Sequence, residues 1–443
     1  MDATYLVCTI LACATSVMTA DEFPVHVRTA GKQANVAVAA ERSGRFAVAW
    51  SSYFSTSGRS NDVIARRFDP NGSPAGEEFR VNAIREGNQT EPALAADERG
   101  FLLVAWQGPG GDGDEDIFAR VFDPNDEPIT NELCINADTM GRQLYPSVAA
   151  RPDGTFVVAW ESRQPNETIA IRGRLLENTG DTVGEEFAIG DGMWDCRYPD
   201  VAVDGTGGFA TVWMQDRSSN TIFARLFDSN AVASTEPLAV STAGIASVTR
   251  PSIAMSEAGG FVIVWDGDPR LASLDDIHGR CFGPDGTPRS DPFVVNSQRE
   301  GRQQWPQVAV DGNQEFIVVW QHEHDDPNVA TDIFAQRFGG DDRPAGGEFK
   351  LNGYVAGKQR YPAVALSGHG SAFVAWESDD QDGSDYGIFA RIVPGADMNT
   401  DGAVDFRDLS VLGRSWRDAE HDLTGDNLVD ARDLEVLSRH WLK

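Results

Sequence analysis

Two short acidic runs near the C-terminus carry residue types and spacings suited to holding a hard cation. The first reads Asp397, Asn399, Asp401, Gly402, Ala403, Asp405, Asp408, and the second Asp422, Thr424, Asp426, Asn427, Leu428, Asp430, Asp433. Calcium takes six to eight oxygens, which a twelve-residue loop supplies from side chains at its first, third and fifth positions. A backbone carbonyl at the seventh, a water-mediated acid at the ninth and a bidentate acid at the twelfth complete the set. That assigns Asp397, Asn399, Asp401, the carbonyl of Ala403, Asp405 through water, and Asp408 to one ion. The second ion receives Asp422, Thr424, Asp426, the carbonyl of Leu428, Asp430 through water, and Asp433. The neutral hydroxyl of Thr424 makes the second loop the weaker site. Gly402 suits the sharp turn, and Asn427 is the usual non-glycine substitute.

Each loop runs into an amphipathic segment. Leu409, Leu412 and Trp416 fall on one helical face, as do Leu434, Leu437 and Trp441, so two helices can bury their stripes against each other. The matched residues of the two copies are offset by 25 throughout. This duplicated loop and helix resembles a type I dockerin over residues 397–443. The resemblance implies a small all-α, EF-hand-like module that folds with Ca2+ and docks onto a cohesin-like partner module, often in polysaccharide-degrading assemblies. Where docking members commonly carry Ser or Thr before the last acidic ligand, this chain has Phe406-Arg407 and Ala431-Arg432. No known cohesin specificity transfers.

The residues before this module repeat. Each unit contains a Pro-x-Val-Ala run, an apolar run ending in Trp, an Ile-Phe-Ala-Arg-x-Phe run and a Glu-Phe-x-Val-Asn run. The tryptophans Trp50, Trp106, Trp160, Trp213, Trp265, Trp320 and Trp376 are spaced by 56, 54, 53, 52, 55 and 56 residues. Four short strands per unit is the arithmetic of a propeller blade, and seven units fit a closed ring. Residues 22–33 align without a gap on residues 78–89, whereas the seventh unit stops after its third strand at Val393. The expected fold is therefore an all-β seven-bladed propeller over 21–393 in which an N-terminal strand, residues 22–27, completes the last blade. Residues 394–396 link it to the tail. The units resemble repeats of large secreted bacterial surface proteins, a likeness that implies no defined activity.

Residues 1–20 are apolar, too few for a membrane span, and read as a signal peptide cut near Ala20, although Asp2 replaces the usual positive charge. Ile10-Leu-Ala-Cys13 offers lipidation as the alternative. The expected location is secreted or cell-surface. A net charge of −31 argues against nucleic acid and anionic membranes as partners. Cys134, Cys196 and Cys281 form neither a disulfide framework nor a metal-ligand spacing.

Catalytic signals are sparse. Glu161, Asp266 and Glu377 each follow a repeat tryptophan and offer carboxylates of the kind glycosidases use in pairs, yet their equivalent positions equally suit strand ends. His322-x-His324 offers imidazoles to a metal or belongs to a solvated loop. The tryptophans and the repeated Arg66, Arg120, Arg225, Arg280 and Arg391 suit blade packing. There is no Gly-x-Ser-x-Gly, phosphate loop or zinc spacing. The leading expectation is a secreted binding protein, its propeller recognising a ligand such as a polysaccharide and its tail docking to a cohesin. The alternative is a dockerin-bearing polysaccharide hydrolase or lyase. A surface structural protein with a calcium-folded terminal module is the third.

Overall fold

The computed structural model describes residues 22–53, 60–111, 113–163, 168–190, 192–216, 220–241, 246–268, 275–324, 330–368 and 370–395, with the single positions Leu423, Asp433 and Val436. Twenty-eight strands, numbered β1–β28 in chain order, form seven four-stranded antiparallel sheets. The first blade is typical. It comprises β2 (Gln33–Ala40), β3 (Phe46–Tyr53), β4 (Asn61–Phe68) and β5 (Phe79–Arg80), paired in that order. The first strands of successive blades, from β2 and β6 (Thr90–Ala96) round to β26 (Gln359–Leu366), lie next to one another and so line the central channel.

The period-two pattern of the second strand explains how the blades stack. In Phe46-Ala-Val-Ala-Trp50 the alanines face one neighbour and the bulky residues the other. Trp50 packs against Ala375, Ile388 and Ala390 of the last blade, and Trp106 against Ala47, Ala49, Val63 and Ala65 of the first. All seven repeat tryptophans are buried. An indole covers about 150–250 Å2, so each contributes several kcal/mol at about 25 cal/mol/Å2. Five also satisfy Nε1 by donating to a glutamine at the head of the first strand: Trp50 to Gln33 (3.0 Å), Trp106 to Gln89 (2.8 Å), Trp160 to Gln143 (3.1 Å), Trp320 to Gln303 (2.9 Å) and Trp376 to Gln359 (3.2 Å). Where Cys196 and Val248 replace that glutamine, the Nε1 atoms of Trp213 and Trp265 lack an acceptor.

Polar staples cross the same boundaries. The repeated arginine donates to a backbone carbonyl in the preceding blade, as Arg66 does to Val25 O (3.2 Å) and Arg391 to Leu351 O (3.1 Å). The glutamate of each Glu-Phe-x-Val-Asn run accepts from the turn of the blade before it: Glu132 from the Ala83 N–H (2.7 Å), Glu186 from Ala137 (2.9 Å), Glu22 from Gly353 (2.7 Å).

The ring closes as the repeat pattern predicts. β1 (Phe23–Pro24) pairs with β28 (Tyr386–Val393) and completes the sheet β1-β28-β27-β26. Val25 is fully buried, its N–H donates to Ile388 O at 2.9 Å, and the Phe23 ring sits 5.9 Å from both Phe68 and Phe373. His26 stands where four other blades have asparagine, taking the Ile388 N–H on Nδ1 (3.1 Å) and reaching Asp382 with Nε2 (2.7 Å). Beyond β28, Arg337 donates to Val393 O and Pro394 O (3.1 and 2.8 Å), fixing where the chain leaves the ring.

No helix among the described residues is long and apolar enough to cross a membrane. The all-α module and the 1–20 leader lie outside the described residues.

Candidate functional site at the mouth of the central channel

The first strand of every blade breaks its pairing with the second at the same place. Register shifts fall between Ala34 and Ala37, Thr90 and Ala93, Leu144 and Ser147, Arg197 and Asp200, Thr249 and Ser252, Gln304 and Gln307, and Arg360 and Ala363. At each bulge one non-glycine residue has positive φ: Asn35 (56°), Glu91 (51°), Tyr145 (51°), Tyr198 (56°), Arg250 (46°), Trp305 (56°) and Tyr361 (52°). Side chains rarely adopt this conformation, at a cost of order 1–3 kcal/mol each. A proline follows in every case but Asn35, tolerated because a bulge on a channel-facing strand leaves its missing N–H unneeded. Bulges of this kind re-aim side chains, and here they do so seven times around one end of the channel.

Four neighbouring pairs among these seven residues touch. Asn35 Nδ2 donates to Glu91 Oε1 at 2.7 Å. The Tyr145 and Tyr198 rings lie 6.3 Å apart, and Trp305 meets Tyr361 edge to face at 4.5 Å. The Arg250 guanidinium stacks 3.8 Å from the Trp305 ring, and Arg360 lies 3.6 Å from Tyr386 and 4.9 Å from Tyr361.

Behind this ring stand the residues that follow the repeat tryptophans. Glu377 accepts the Asn35 N–H (2.8 Å), Gln107 that of Tyr145 (3.0 Å), Glu161 that of Tyr198 (2.7 Å), Asp266 that of Trp305 (3.1 Å) and Gln321 that of Tyr361 (3.2 Å). The three acids singled out from the sequence are thus gathered at the mouth, each holding the strained backbone of the next blade. Arg360 pairs with Glu377 at 3.0 Å, and Arg250 with Asp266 at 3.2 Å. Glu161 Oε2 is buried with no hydrogen-bond partner.

These carboxyls hold their protons unusually well. Burial, then the charge of Glu377, raises Glu91 to about 7, against a smaller lowering by Lys32. Burial raises Glu161 to about 7, with the Tyr198 N–H opposing, and Asp266 to about 6, with Arg250 opposing. Glu377 is raised by burial and held down most by Arg360. Further along the channel, Asp200 accepts from Ser147 (2.8 Å), Ser252 (3.1 Å) and the N–H groups of Val201 (2.9 Å) and Ile253 (3.0 Å). Both its oxygens are occupied, which suits a clamp between blades. A mouth lined by aromatic faces, guanidinium groups and protonated carboxyls can stack on a sugar ring and move protons near neutral pH.

The ring residues were not legible as a site in the sequence. Their signal is the variable position before a repeated proline, Glu, Tyr, Tyr, Arg, Trp and Tyr, with Asn35 at the equivalent place before Val36. His322 and His324 are held in a hydrogen-bonded chain at the end of their strand. His322 is buried and bonded to Gln303 (2.9 Å) and His324 (3.1 Å), and His324 reaches Asp332 (3.0 Å). Among the described residues no group of three or more His, Cys, Asp or Glu is arranged to hold a metal. Cys196 and Cys281 are buried free thiols, and Cys134 is a free thiol that burial raises to about 11.

Of the twelve calcium-ligand positions, all but Asp433 lie outside the described residues. Asp433 is helical and fully buried, and its Oδ1 accepts the N–H of Leu423, the residue after Asp422, at 2.6 Å.

No family model matches the chain, and no curated protein matches it. Solved structures match in shape. An ulvan lyase from a new polysaccharide lyase family, bound to -[GlcA(1-4)Rha3S]-, superposes with a TM-score of 0.54 at 10% identity, covering 82% of this chain and 94% of that one. A protein of unknown function from Dyadobacter fermentans gives 0.51 at 10% identity over 85% and 98%. A Penicillium chrysogenum alpha-L-arabinanase complexed with arabinobiose gives 0.48 at 12% identity over 68% and 92%. At these identities the likeness is one of fold alone: the described residues 22–395 form a seven-bladed β-propeller.

Proposed function

We propose that this propeller is a polysaccharide-acting enzyme whose channel mouth binds a saccharide and breaks a glycosidic bond by general acid–base chemistry. The observation that carries the reading is Glu91, a ring carboxyl raised to about 7 beside the carboxyl of Glu377. Protonated Glu91 would donate to the leaving glycosidic oxygen as the bond to the anomeric carbon breaks. Water adds to that carbon, and its proton passes to a second carboxylate, a role we assign to Glu377, whose charge acts on Glu91. Tyr145, Tyr198, Trp305 and Tyr361 supply faces for the sugar, and Arg250 and Arg360 supply donors for its hydroxyl or acidic groups. The C-terminal repeats would attach the enzyme, as a calcium-folded dockerin, to a cohesin-type partner outside the cell. Calcium there orders the two loops, and Asp433 is the ligand whose placement supports this.

A second reading, binding without turnover, is favoured by one observation: Glu161, Asp266 and Glu377 all hold backbone N–H groups of the neighbouring blade. The test is incubation with xylan, linear arabinan, pectate and ulvan, scoring new reducing ends, unsaturated ends and affinity. Cleavage that falls about 10²–10⁴-fold in Glu91→Gln, with binding retained, supports the enzyme. Binding with no cleavage leaves the lectin-like reading standing, and neither activity rejects both.

A further inference from the structure

The blade repeat serves as an internal reference against which departures stand out. In five blades the residue two places before the first-strand glutamine is a glycine with positive φ: Gly31 (86°), Gly87 (74°), Gly141 (76°), Gly301 (72°) and Gly357 (66°). Its lack of a side chain is required there, since a Cβ on Gly31 or Gly301 would stand 2.2 Å from the backbone oxygen of Tyr53 or Glu323. The blade begun by β14 (Cys196–Val203) breaks this rule and carries Trp194 instead. Trp194 is 47% exposed, and no other tryptophan among the described residues is classed as exposed.

The loop that presents it is pinned. Asp195 accepts the Ile169 N–H on Oδ1 (3.0 Å) and the Asp216 N–H on its carbonyl (2.8 Å), and its Oδ2 pairs with Arg197 (3.0 Å). Trp194 is four residues before Tyr198, so at most about 14 Å of chain separates it from the ring. Tyr145, 40% exposed, has its ring 6.3 Å from that of Tyr198. Trp194 and Tyr198 thus lie on one short stretch of chain, with the polar Asp195 and Arg197 between them.

We infer that the saccharide in the channel mouth is part of a chain that leaves it over this blade, and that Trp194 is an outer stacking platform binding the chain several sugar units from the ring. This rests on the saccharide reading of the mouth. A large, rigid aromatic held in place contributes contact area at little entropic cost, which is how exposed tryptophans come to dominate binding surfaces.

The test compares Trp194→Ala, Trp194→Phe and the unaltered full-length protein. The probes are oligosaccharides of two to eight units prepared from whichever of xylan, linear arabinan, pectate or ulvan the unaltered protein binds. Calorimetry should show about a tenfold loss of affinity for the longest oligomers in Trp194→Ala, no change for the dimer, and partial recovery in Trp194→Phe. Equal losses for dimer and octamer, or no loss for either, overturn the platform while leaving the mouth intact. Failure of the unaltered protein to bind any of the four polysaccharides overturns the saccharide reading itself, and the platform with it. A melting temperature unchanged by the substitution separates a binding role from a structural one.

Discussion

Asn35 joins carboxyl groups from two other blades: its backbone N–H donates to Glu377 Oε1 at 2.8 Å and its side chain to Glu91 Oε1 at 2.7 Å. Opposite substitutions around it should therefore move the Glu91 titration in opposite directions. Asn35→Ala removes a donor that favours the carboxylate and should raise the Glu91 pKa further. Glu377→Gln removes a like charge and should lower it. Carbon-detected NMR titration of the Glu91 carboxyl reads both shifts, and the same direction in both variants contradicts the arrangement.

Glu161 tests the energetic side of the same burial. A carboxyl raised from 4.5 to about 7 in the folded protein contributes stability that is full below pH 4.5 and is lost as pH rises through 7. Glutamine is an authentic occupant of this position, since Gln107 and Gln321 hold the equivalent N–H groups. Glu161→Gln should thus keep the clamp and remove on the order of 3 kcal/mol of pH-dependent loss. The expected outcome is a melting temperature that declines less between pH 5 and pH 8 than in the unaltered protein.

Replacing Gln89 by Leu should leave Trp106 Nε1 buried without its 2.8 Å acceptor, at a cost of about 1–3 kcal/mol. Denaturant midpoints measure this. Val248→Gln makes the converse change beside Trp265 and should raise the midpoint.

Calcium should bind the full-length protein at about two sites. Asp401→Ala and Asp426→Ala should each remove one ion by calorimetry, and chelation should reduce helical circular dichroism without disturbing the strand signal of the ring.

Val25→Asp would place an unpaired charge at a fully buried position between the first and last blades and should destabilise the ring by several kcal/mol. Loss of a single cooperative melting transition would report the opened edge.

The ring was legible because its determinants are local and recur. The Trp spacing and the alternation of small and large residues in each second strand give the blade, and the match of residues 22–33 to 78–89 gives the closure. The site was only half legible. Glu161, Asp266 and Glu377 stood out by their place after a tryptophan. Glu91, Asn35 and Arg250 did not, because their importance comes from a backbone bulge and from neighbours 55 and 56 residues away. No one-dimensional pattern encodes either. The histidine pair misled for the complementary reason: an acidic loop sequence gave no hint that Gln303 and Asp332 would close around it.

The pairing of β1 with β28 also fixes an order of events. A strand from the start of the chain waits, with its hydrogen-bonding edge empty, until more than three hundred residues have followed it. The last blade cannot be completed until its third strand has been made, and until both ends meet the molecule is an arc with two adhesive edges. Any traction applied through the tail enters the ring at this late-made seam, where Arg337 grips Val393 and Pro394 and Glu22 grips the turn at Gly353. Were the tail tethered as proposed, the element that finishes the circle would also be the one to bear the pull.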